Sequence, residues 1–290
     1  MIIDSHAHYN NPGYRKPFRY LTRVDGSYAL EEGELPQLLE RMAAADICCF
    51  IEPGVSLESC GEVLALAAAY PGRIFPAVGV HPTRSVYEAW KNRKQLERFA
   101  KTAGVIAIGE TGLDYHYSRR DQHRLRQHMW FLYQLTLAIK LQKPVILHVR
   151  DAHSHALRIL KHHPARRLGG VIHCFYGNWE IAEQYLKLGY YFGIGGSLLQ
   201  QQERAKDLWE AIVHIPLDRI LVETDAPYIL PYCKDVLPGK ALRRAKNTSM
   251  ILPAVIEKIA QLKGISPAEV ETAVAENTVR LFRLPIVPLE

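Results

Sequence analysis

The feature that most constrains the fold is a short apolar segment, rich in β-branched residues, that recurs eight times along the chain. Each segment is bounded by glycine, proline or polar residues, and most are followed by a loop and a stretch with helical periodicity. Continuous apolar runs of this kind are typical of strands buried on both faces, as in a parallel sheet. The eight segments are residues 1–8, 47–54, 73–82, 104–114, 144–149, 170–175, 190–196 and 219–227.

The stretches between these segments are amphipathic and long enough for the crossover helices that a parallel sheet requires. Examples are residues 34–45, 60–70 and 122–142. Eight such alternations in 290 residues predict a TIM (β/α)8 barrel with additional C-terminal helices at roughly 249–263 and 266–283. A doubly wound open sheet is the alternative, but no G-x-G-x-x-G follows the first strand. No Pro/Gly/Ser-rich linker divides the chain, so we expect one domain over residues 1–290.

Composition narrows the class of protein. A hydrophobic fraction of 48% and a charged fraction of 23% are ordinary for a globular protein, and no apolar run approaches a membrane span of ~18 residues. We therefore expect no membrane association, and no obligate protein partner is evident. Five cysteines without a C-x-x-C motif, and no secretory signal, lead us to expect a cytoplasmic protein. The net charge of +6 permits an anionic substrate but is also compatible with a solvated basic surface.

Metal-competent side chains stand at the C-terminal ends of five of the eight segments. In a barrel these ends meet at one face, where the catalytic residues lie. His6 and His8 alternate with period two, so both should point to the same side of the first strand. A second pair, His153 and His155, falls where a helix begins, and residues two apart on a helix do not face each other. The strand-end set is His6, His8, Glu110, His148, His173 and Asp225.

Six such residues at one face indicate a metal centre, because burying them without metal would require a dense hydrogen-bond network. Six ligands exceed the usual four of one Zn²⁺, which favours two divalent ions. A carboxylate can bridge two cations, and Glu110 lies midway around the barrel between the two groups of histidines. Imidazole and carboxylate ligands admit Zn²⁺, Mn²⁺ or Mg²⁺.

The motifs DSHAH, GVHP, IGETGLDY, HVRDA, HCFYG and ETDAPY, in this order, resemble the TatD family of metal-dependent hydrolases and deoxyribonucleases. The resemblance extends from residue 1 to about residue 283. It implies hydrolysis of phosphodiester bonds in DNA, from an end, with Asp225 and Glu110 as catalytic residues. It implies substrate contacts from His81 and Arg150, although a turn histidine and a structural salt bridge from Arg150 to Asp151 are the alternatives. The implied ligand sets are His6, His8, Glu110 and Asp225 for one metal, and Glu110, His148 and His173 for the other.

The chain departs from the family pattern in two places. KNTSM, residues 246–250, stands where Arg-Asn-Glu-Pro is usual, and about 25 residues separate His8 from the first clear helix. This long loop mixes aromatic residues with cations, which suits either a surface that binds a nucleic acid strand or a lid packed on the barrel rim. The loop residues concerned are Tyr9, Tyr14, Arg15, Lys16, Phe18, Arg19, Tyr20 and Arg23.

Two further functions stay open at this point. The same site could hydrolyse a small amide, lactone or phosphoester, because barrels support many chemistries through their loops. A non-catalytic binding protein that keeps its metals for stability is the third hypothesis.

Overall fold

The computed structural model of the protein describes residues 1–24, 26–117, 120–233, 237 and 239–286. Eight strands form one sheet in the order β1-β4-β5-β6-β7-β8-β9-β10, and every neighbouring pair is parallel. In chain order the strands are β1 (Ile2–Asp4), β2 (Phe18–Val24), β3 (Ser27–Gly33), β4 (Ile47–Pro53), β5 (Ile74–Val78), β6 (Ala107–Asp114), β7 (Val145–Arg150), β8 (Gly170–Ile172), β9 (Tyr191–Ile194) and β10 (Ile220–Val222).

The sheet closes on itself between β10 and the chain that follows β1. The Ser5 amide donates to the Val222 carbonyl at 3.0 Å, and the His8 amide donates to the Ala226 carbonyl at 2.8 Å. Ala7 and Ala226 form a parallel bridge in the same seam. The predicted TIM barrel is therefore confirmed, and the open sheet is excluded.

Helices follow most of the barrel strands and cover the outside of the barrel. The predicted C-terminal helices are confirmed, and the last one begins with a capping box in which Ser266 and Glu269 satisfy each other's backbone amides. The helices are α1 (Leu35–Ala44), α2 (Leu57–Ala69), α3 (Arg93–Ala100), α4 (Asp121–Leu141), α5 (His153–His162), α6 (Trp179–Leu186), α7 (Gln202–His214), α8 (Gly239–Leu242), α9 (Leu252–Lys263) and α10 (Pro267–Phe282).

The apolar core has two layers because successive side chains of a strand point to opposite faces. Inward-facing residues, among them Ile146, Val171 and Leu221, fill the barrel, and Phe282 at the end of α10 packs against this inner cluster. Outward-facing residues pack against the helices. Two residues beyond these inner apolar positions, β7 carries His148, β8 leads to His173 and β10 leads to Glu223. The strand period thus places polar side chains in the upper barrel.

The long loop after His8 contains an antiparallel hairpin, β2–β3, which pairs Phe18 with Gly33 and Val24 with Ser27. All four aromatic residues that the sequence offered for base stacking are no more than 6% exposed. They pack against one another, with ring centroids 5.2 Å apart for Tyr9 and Tyr14 and 4.8 Å apart for Tyr14 and Phe18. The prediction that bases stack on these aromatic side chains is therefore wrong, because burial against the barrel rim leaves no ring face free.

The cations of this loop are mostly paired. Arg15 forms an ion pair with Glu62, and Arg19 pairs with Glu32 at 2.6 Å. Arg23 pairs with Glu257 at 2.8 Å. The packing favours the lid interpretation of this segment.

The length and apolar character of the helices bear on membrane association. Among the described helices, none combines the length and the apolar character that a bilayer span requires. The cytoplasmic location stays a prediction.

Candidate metal centre

The polar side chains predicted for the site meet at the C-terminal face of the barrel. Glu110 lies within β6 and His148 within β7, while His173 follows β8 directly. His6 and His8 lie beyond the end of β1, and Asp225 follows β10. The regular part of the first strand is shorter than predicted, but the seam with Ala226 continues it to His8.

His6 and His8 form one half of the site. Their Nε2 atoms lie 3.1 Å apart, and both rings are buried. The Asp225 Oδ1 atom lies 3.8 Å from the His6 Nε2 atom and 3.4 Å from the His8 Nε2 atom. Two ring nitrogens and a carboxylate oxygen at these separations could surround a common cation.

Glu110 divides its two carboxylate oxygens between the two groups of histidines. Its Oε2 atom lies 3.7 Å from the Nε2 atoms of both His6 and His8. Its Oε1 atom lies 2.8 Å from the His148 Nδ1 atom and 3.0 Å from the His173 Nε2 atom. The His148 and His173 nitrogens are themselves 3.3 Å apart. This arrangement suits a carboxylate that bridges two cations.

The electrostatics differ among the candidate ligands. Burial disfavours the charged form of each ligand histidine, yet neighbouring carboxylates raise the pKa of His8 to about 9 and also raise the pKa of His148 and His173, so a cation must displace a proton there. Burial would raise the pKa of Glu110, but the surrounding histidines His81, His173 and His148 hold it well below its usual value. Burial lowers the pKa of His6 well below its usual value, which favours the neutral imidazole. An ionised carboxylate and a neutral imidazole are the forms that bind metal. The ring nitrogens and carboxylate oxygens, at the separations given above, fit divalent cations by donor type and distance.

Two buried carboxylates that the sequence analysis missed hold the ligand histidines from behind. The Asp114 Oδ2 atom lies 3.1 Å from the His148 Nε2 atom, on the side of the ring away from Glu110. The Glu223 Oε1 atom lies 3.3 Å from the His173 Nδ1 atom. Gly193 makes room for Glu223, because a Cβ at this position would lie 1.9 Å from its Oε2 atom. Such carboxylates fix the tautomer and orientation of metal-binding imidazoles.

Asp4 anchors the segment that carries the first two ligands. Its Oδ1 atom accepts hydrogen bonds from the amides of His6 and Thr224, each at 3.1 Å. Its Oδ2 atom accepts hydrogen bonds from the Thr224 and Ser249 hydroxyls, each at 2.6 Å. Burial raises the pKa of Asp4 to about 7. Ser249 belongs to the KNTSM segment, so this departure from the family pattern supports the ligand strand from within the protein.

Glu52 supports the chain immediately after His8. Its carboxylate accepts hydrogen bonds from the Tyr9 and Asn10 amides, each at 2.9 Å. Glu52 is fully buried, and burial raises its pKa to about 7. Together with Asp4, it fixes the backbone on both sides of the histidine pair.

The two predicted substrate contacts both line the cavity above the site. The His81 Nε2 atom lies 3.2 Å from the Glu110 Oε1 atom. The Thr83 amide donates to the His81 Nδ1 atom at 3.2 Å, so the neutral ring carries its proton on Nε2. Asp151 pairs with His116 at 3.0 Å, and the Arg150 guanidinium lies 5.1 Å from the Tyr117 ring centroid. The alternative of a salt bridge between Arg150 and Asp151 is therefore wrong.

The second histidine pair lies where the sequence placed it, in the first turn of α5. The His153 ring contacts the Tyr185 hydroxyl at 3.1 Å, and the His155 ring contacts the Tyr115 hydroxyl at 2.8 Å. The two rings thus have separate partners, which agrees with the prediction that they do not chelate.

Comparison with known proteins identifies the family of the chain. The family model described as TatD related DNase matches residues 3–283. A relative from Edwardsiella piscicida, named 3'-5' ssDNA/RNA exonuclease TatD, is 34% identical. The match covers 87% of this chain and 94% of the length of the relative. A Bacillus subtilis relative, named as the uncharacterized metal-dependent hydrolase YabD, is 29% identical over 98% of this chain and 100% of its own.

A solved structure gives the same result. The crystal structure of YjjV, a TatD homologue from Escherichia coli K12, superposes with a TM-score of 0.81 at 30% identity, covering 98% of both chains. The fold and the site define a metal-dependent hydrolase built on a TIM barrel. The chain belongs to the TatD-related DNase family.

Proposed function

We propose that this protein is a nuclease that uses two divalent metal ions to hydrolyse phosphodiester bonds of DNA from a strand end, with residues 1–290 acting as one domain. The observation that carries the proposal is the division of the Glu110 oxygens between the histidine pairs. The name of the Edwardsiella relative supports a nucleic acid substrate and attack from an end.

The proposed ligands follow from the two halves of the site. His6, His8 and Asp225 would hold one ion, and His148 and His173 would hold the other, with Glu110 shared between them. Bound divalent ions would lower the pKa of water and offset charge that develops on a phosphoryl oxygen. The set of imidazoles and carboxylates accommodates Zn²⁺, Mn²⁺ or Mg²⁺.

The protein's own side chains supply the remaining chemistry. Asp225 is partly open to the cavity, so its carboxylate can orient an attacking water and accept its proton. The proton on His81 Nε2 points to Glu110 Oε1 and can be offered to a phosphoryl oxygen once that carboxylate is engaged by metal. Arg150, at the cavity wall, provides a permanent positive charge for a neighbouring phosphate.

The proposal is tested with methyl 4-nitrophenyl phosphate as a minimal phosphodiester, beside a lactone and an amide. The protein is stripped with a chelator and then reloaded with Zn²⁺, Mn²⁺ or Mg²⁺. We expect phosphodiester turnover that is lost on stripping and restored by metal. Glu110→Gln and Asp225→Asn should lower kcat by orders of magnitude, whereas Asp151→Asn, an exposed carboxylate outside the ligand set, serves as the matched control.

The direction of attack is tested with single-stranded DNA labelled at the 5' or the 3' end. Sequential release of mononucleotides from one end supports the exonuclease. Preferential turnover of the lactone or the amide would replace phosphodiester hydrolysis by the small-substrate alternative, and metal binding without turnover of any substrate would leave a binding protein.

A further inference from the structure

Four tyrosines are the most exposed aromatic side chains of the described residues. They are 81%, 67%, 55% and 54% exposed for Tyr87, Tyr117, Tyr176 and Tyr228, respectively. Single exposed apolar residues are ordinary on a protein surface and need no explanation. These four, however, all line cavities at the mouth of the metal centre. Their shared location calls for a functional explanation.

The cavities form a continuous groove across the metal centre. The central one, of about 550 Å³, is lined by all the candidate metal ligands except His6. A cavity of about 410 Å³ adjoins it on one side and shares Arg84, Tyr87 and Tyr228 with it. A cavity of about 680 Å³ adjoins it on the other side and shares Arg150 with it. A linear substrate could therefore extend to both sides of the ligands.

Each side of the groove combines exposed tyrosine rings with an arginine that has no carboxylate partner among the described residues. Within the part of the chain that the structure describes, neither Arg84 nor Arg150 pairs with a carboxylate, whereas Arg15 pairs with Glu62. The Tyr87 amide donates to the Arg84 carbonyl at 2.9 Å, so these two residues share one turn. On the other side, Arg150 lies over the Tyr117 ring. Rings beside unpaired guanidiniums are the elements that bind single-stranded nucleic acid.

Two of the four tyrosines are also held in place through their hydroxyl groups. The Tyr228 hydroxyl accepts a hydrogen bond from the Asn11 amide group at 3.1 Å, and its ring lies 6.4 Å from the His8 ring. The Tyr176 hydroxyl donates to the Arg204 carbonyl. Rings that are fixed before binding lose little conformational freedom when a base stacks on them.

We propose that the groove has two base-stacking subsites that flank the scissile phosphate, one formed by Tyr87, Tyr228 and Arg84 and the other by Tyr117, Tyr176 and Arg150. This inference rests on the proposed nuclease function. Its consequence is that the substrate must present unpaired bases on both sides of the cleaved bond. Stacking uses the π-face that every base has, so the subsites select single strands without reading the sequence.

The test measures binding, which does not depend on turnover. The probes are a dye-labelled oligothymidylate of about twelve nucleotides and the same backbone with abasic units in place of all bases. Kd is measured by fluorescence anisotropy with metals removed by a chelator. Tyr87→Ala and Tyr117→Ala should each weaken binding of the base-bearing strand by about 5- to 150-fold, the range observed for loss of one stacked base.

The abasic strand should lose less than about twofold in the same variants, because it has no base to stack. Tyr87→Phe keeps the ring and should bind as the wild type does. Leu132→Ala, an exposed apolar residue on α4 outside the groove, is the matched control. Equal losses on both strands, or no loss on the base-bearing strand, would overturn the stacking subsites.

The two proposals fail in different assays. Absence of turnover of methyl 4-nitrophenyl phosphate by the metal-loaded wild type would overturn the nuclease function. Discrimination between the base-bearing and abasic strands would still decide the stacking subsites, because it is measured in the absence of metal.

Discussion

Replacing Asp114 by asparagine should weaken the binding of one of the two metal ions and leave the binding of the other nearly unchanged. The Asp114 Oδ1 atom accepts a hydrogen bond from the Tyr117 amide at 2.9 Å, and its Oδ2 atom faces the His148 Nε2 atom. Burial opposes ionisation of Asp114, yet the hydrogen bonds from His148 and the Tyr117 amide hold the pKa of its carboxyl below its usual value. The carboxylate therefore keeps the imidazole proton on Nε2 and leaves Nδ1 free to bind metal.

The direction of the effect follows from these contacts. In Asp114→Asn the oxygen must face the Tyr117 amide, so the NH₂ group faces His148 Nε2. That nitrogen then becomes an acceptor, and the proton moves to Nδ1, the atom that lies 2.8 Å from Glu110. Loss of such a carboxylate partner costs about 10- to 100-fold in metal affinity. This corresponds to about 1.4–2.8 kcal/mol.

The assay is a competitive titration of stripped protein with Zn²⁺ against a fluorescent chelator, fitted to two sites. The step for the ion held by His148 and His173 should shift about 10- to 100-fold, and the step for the ion held by His6 and His8 should shift little. Asp151→Asn is the control, because Asp151 contacts His116 and no candidate ligand. Equal weakening of both steps, or of neither, would refute the role given to Asp114.

Two further predictions concern residues outside the ligand set. Replacing Arg15 and Arg19 together by glutamine should change the KM for single-stranded DNA by less than about twofold, because the charge of each guanidinium is already balanced by a carboxylate, Glu62 or Glu32. A tenfold rise would restore the loop as a strand-binding surface. Burial lowers the pKa of His153 from 6.5 to about 4, so between these values the unfolded chain binds more protons than the folded one. Its contribution to stability is complete above pH 6.5 and is lost as the pH falls towards 4, by at most ~1.4 kcal/mol per pH unit. His153→Asn should flatten this dependence in urea unfolding, with unchanged metal content; parallel curves for the two proteins would contradict it.

The sequence could predict that the six ligand residues meet at one face, and for His148, His173 and Asp225 two simple rules coincide. Strand periodicity repeats the inward direction every second residue, and barrel topology gathers strand ends at one face. His148 and His173 each follow an inward apolar residue by two positions. The same rule would have found Glu223, which follows the inward-facing Leu221 by two positions, just beyond the end of β10. Glu223 was not predicted because only the side chains at the very ends of the strands were considered.

Asp114 could not be found in this way. It lies four residues beyond Glu110 on β6, and its contact with His148 depends on the register that pairs Gly112 with His148. Register between strands is a property of the assembled sheet, and the pairing shifts between Ile108 and Thr111. A single sequence does not specify such a shift.

The hairpin β2–β3 has a local signal in the sequence, at its turn. An Asp-Gly pair stands at residues 25–26 between two stretches with β-forming residues, which is typical of a tight hairpin turn. The burial of the loop aromatics and the exposure of Tyr87 and Tyr228 could not be predicted, because loop exposure is decided by tertiary packing. The exposed aromatic side chains therefore lie outside the loop that follows His8.

The central claim is that Glu110 bridges two ions, and metal analysis of the purified protein tests it most directly. Mass spectrometry of protein prepared without chelator should find about two divalent ions per chain in the wild type. Glu110→Gln should retain neither ion at full occupancy while the circular dichroism of the barrel is unchanged, because the shared carboxylate charge is lost and one of its two oxygens becomes an NH₂ group that cannot bind a cation. One ion per chain in a fully active wild type, or two ions retained in Glu110→Gln, would contradict the bridge.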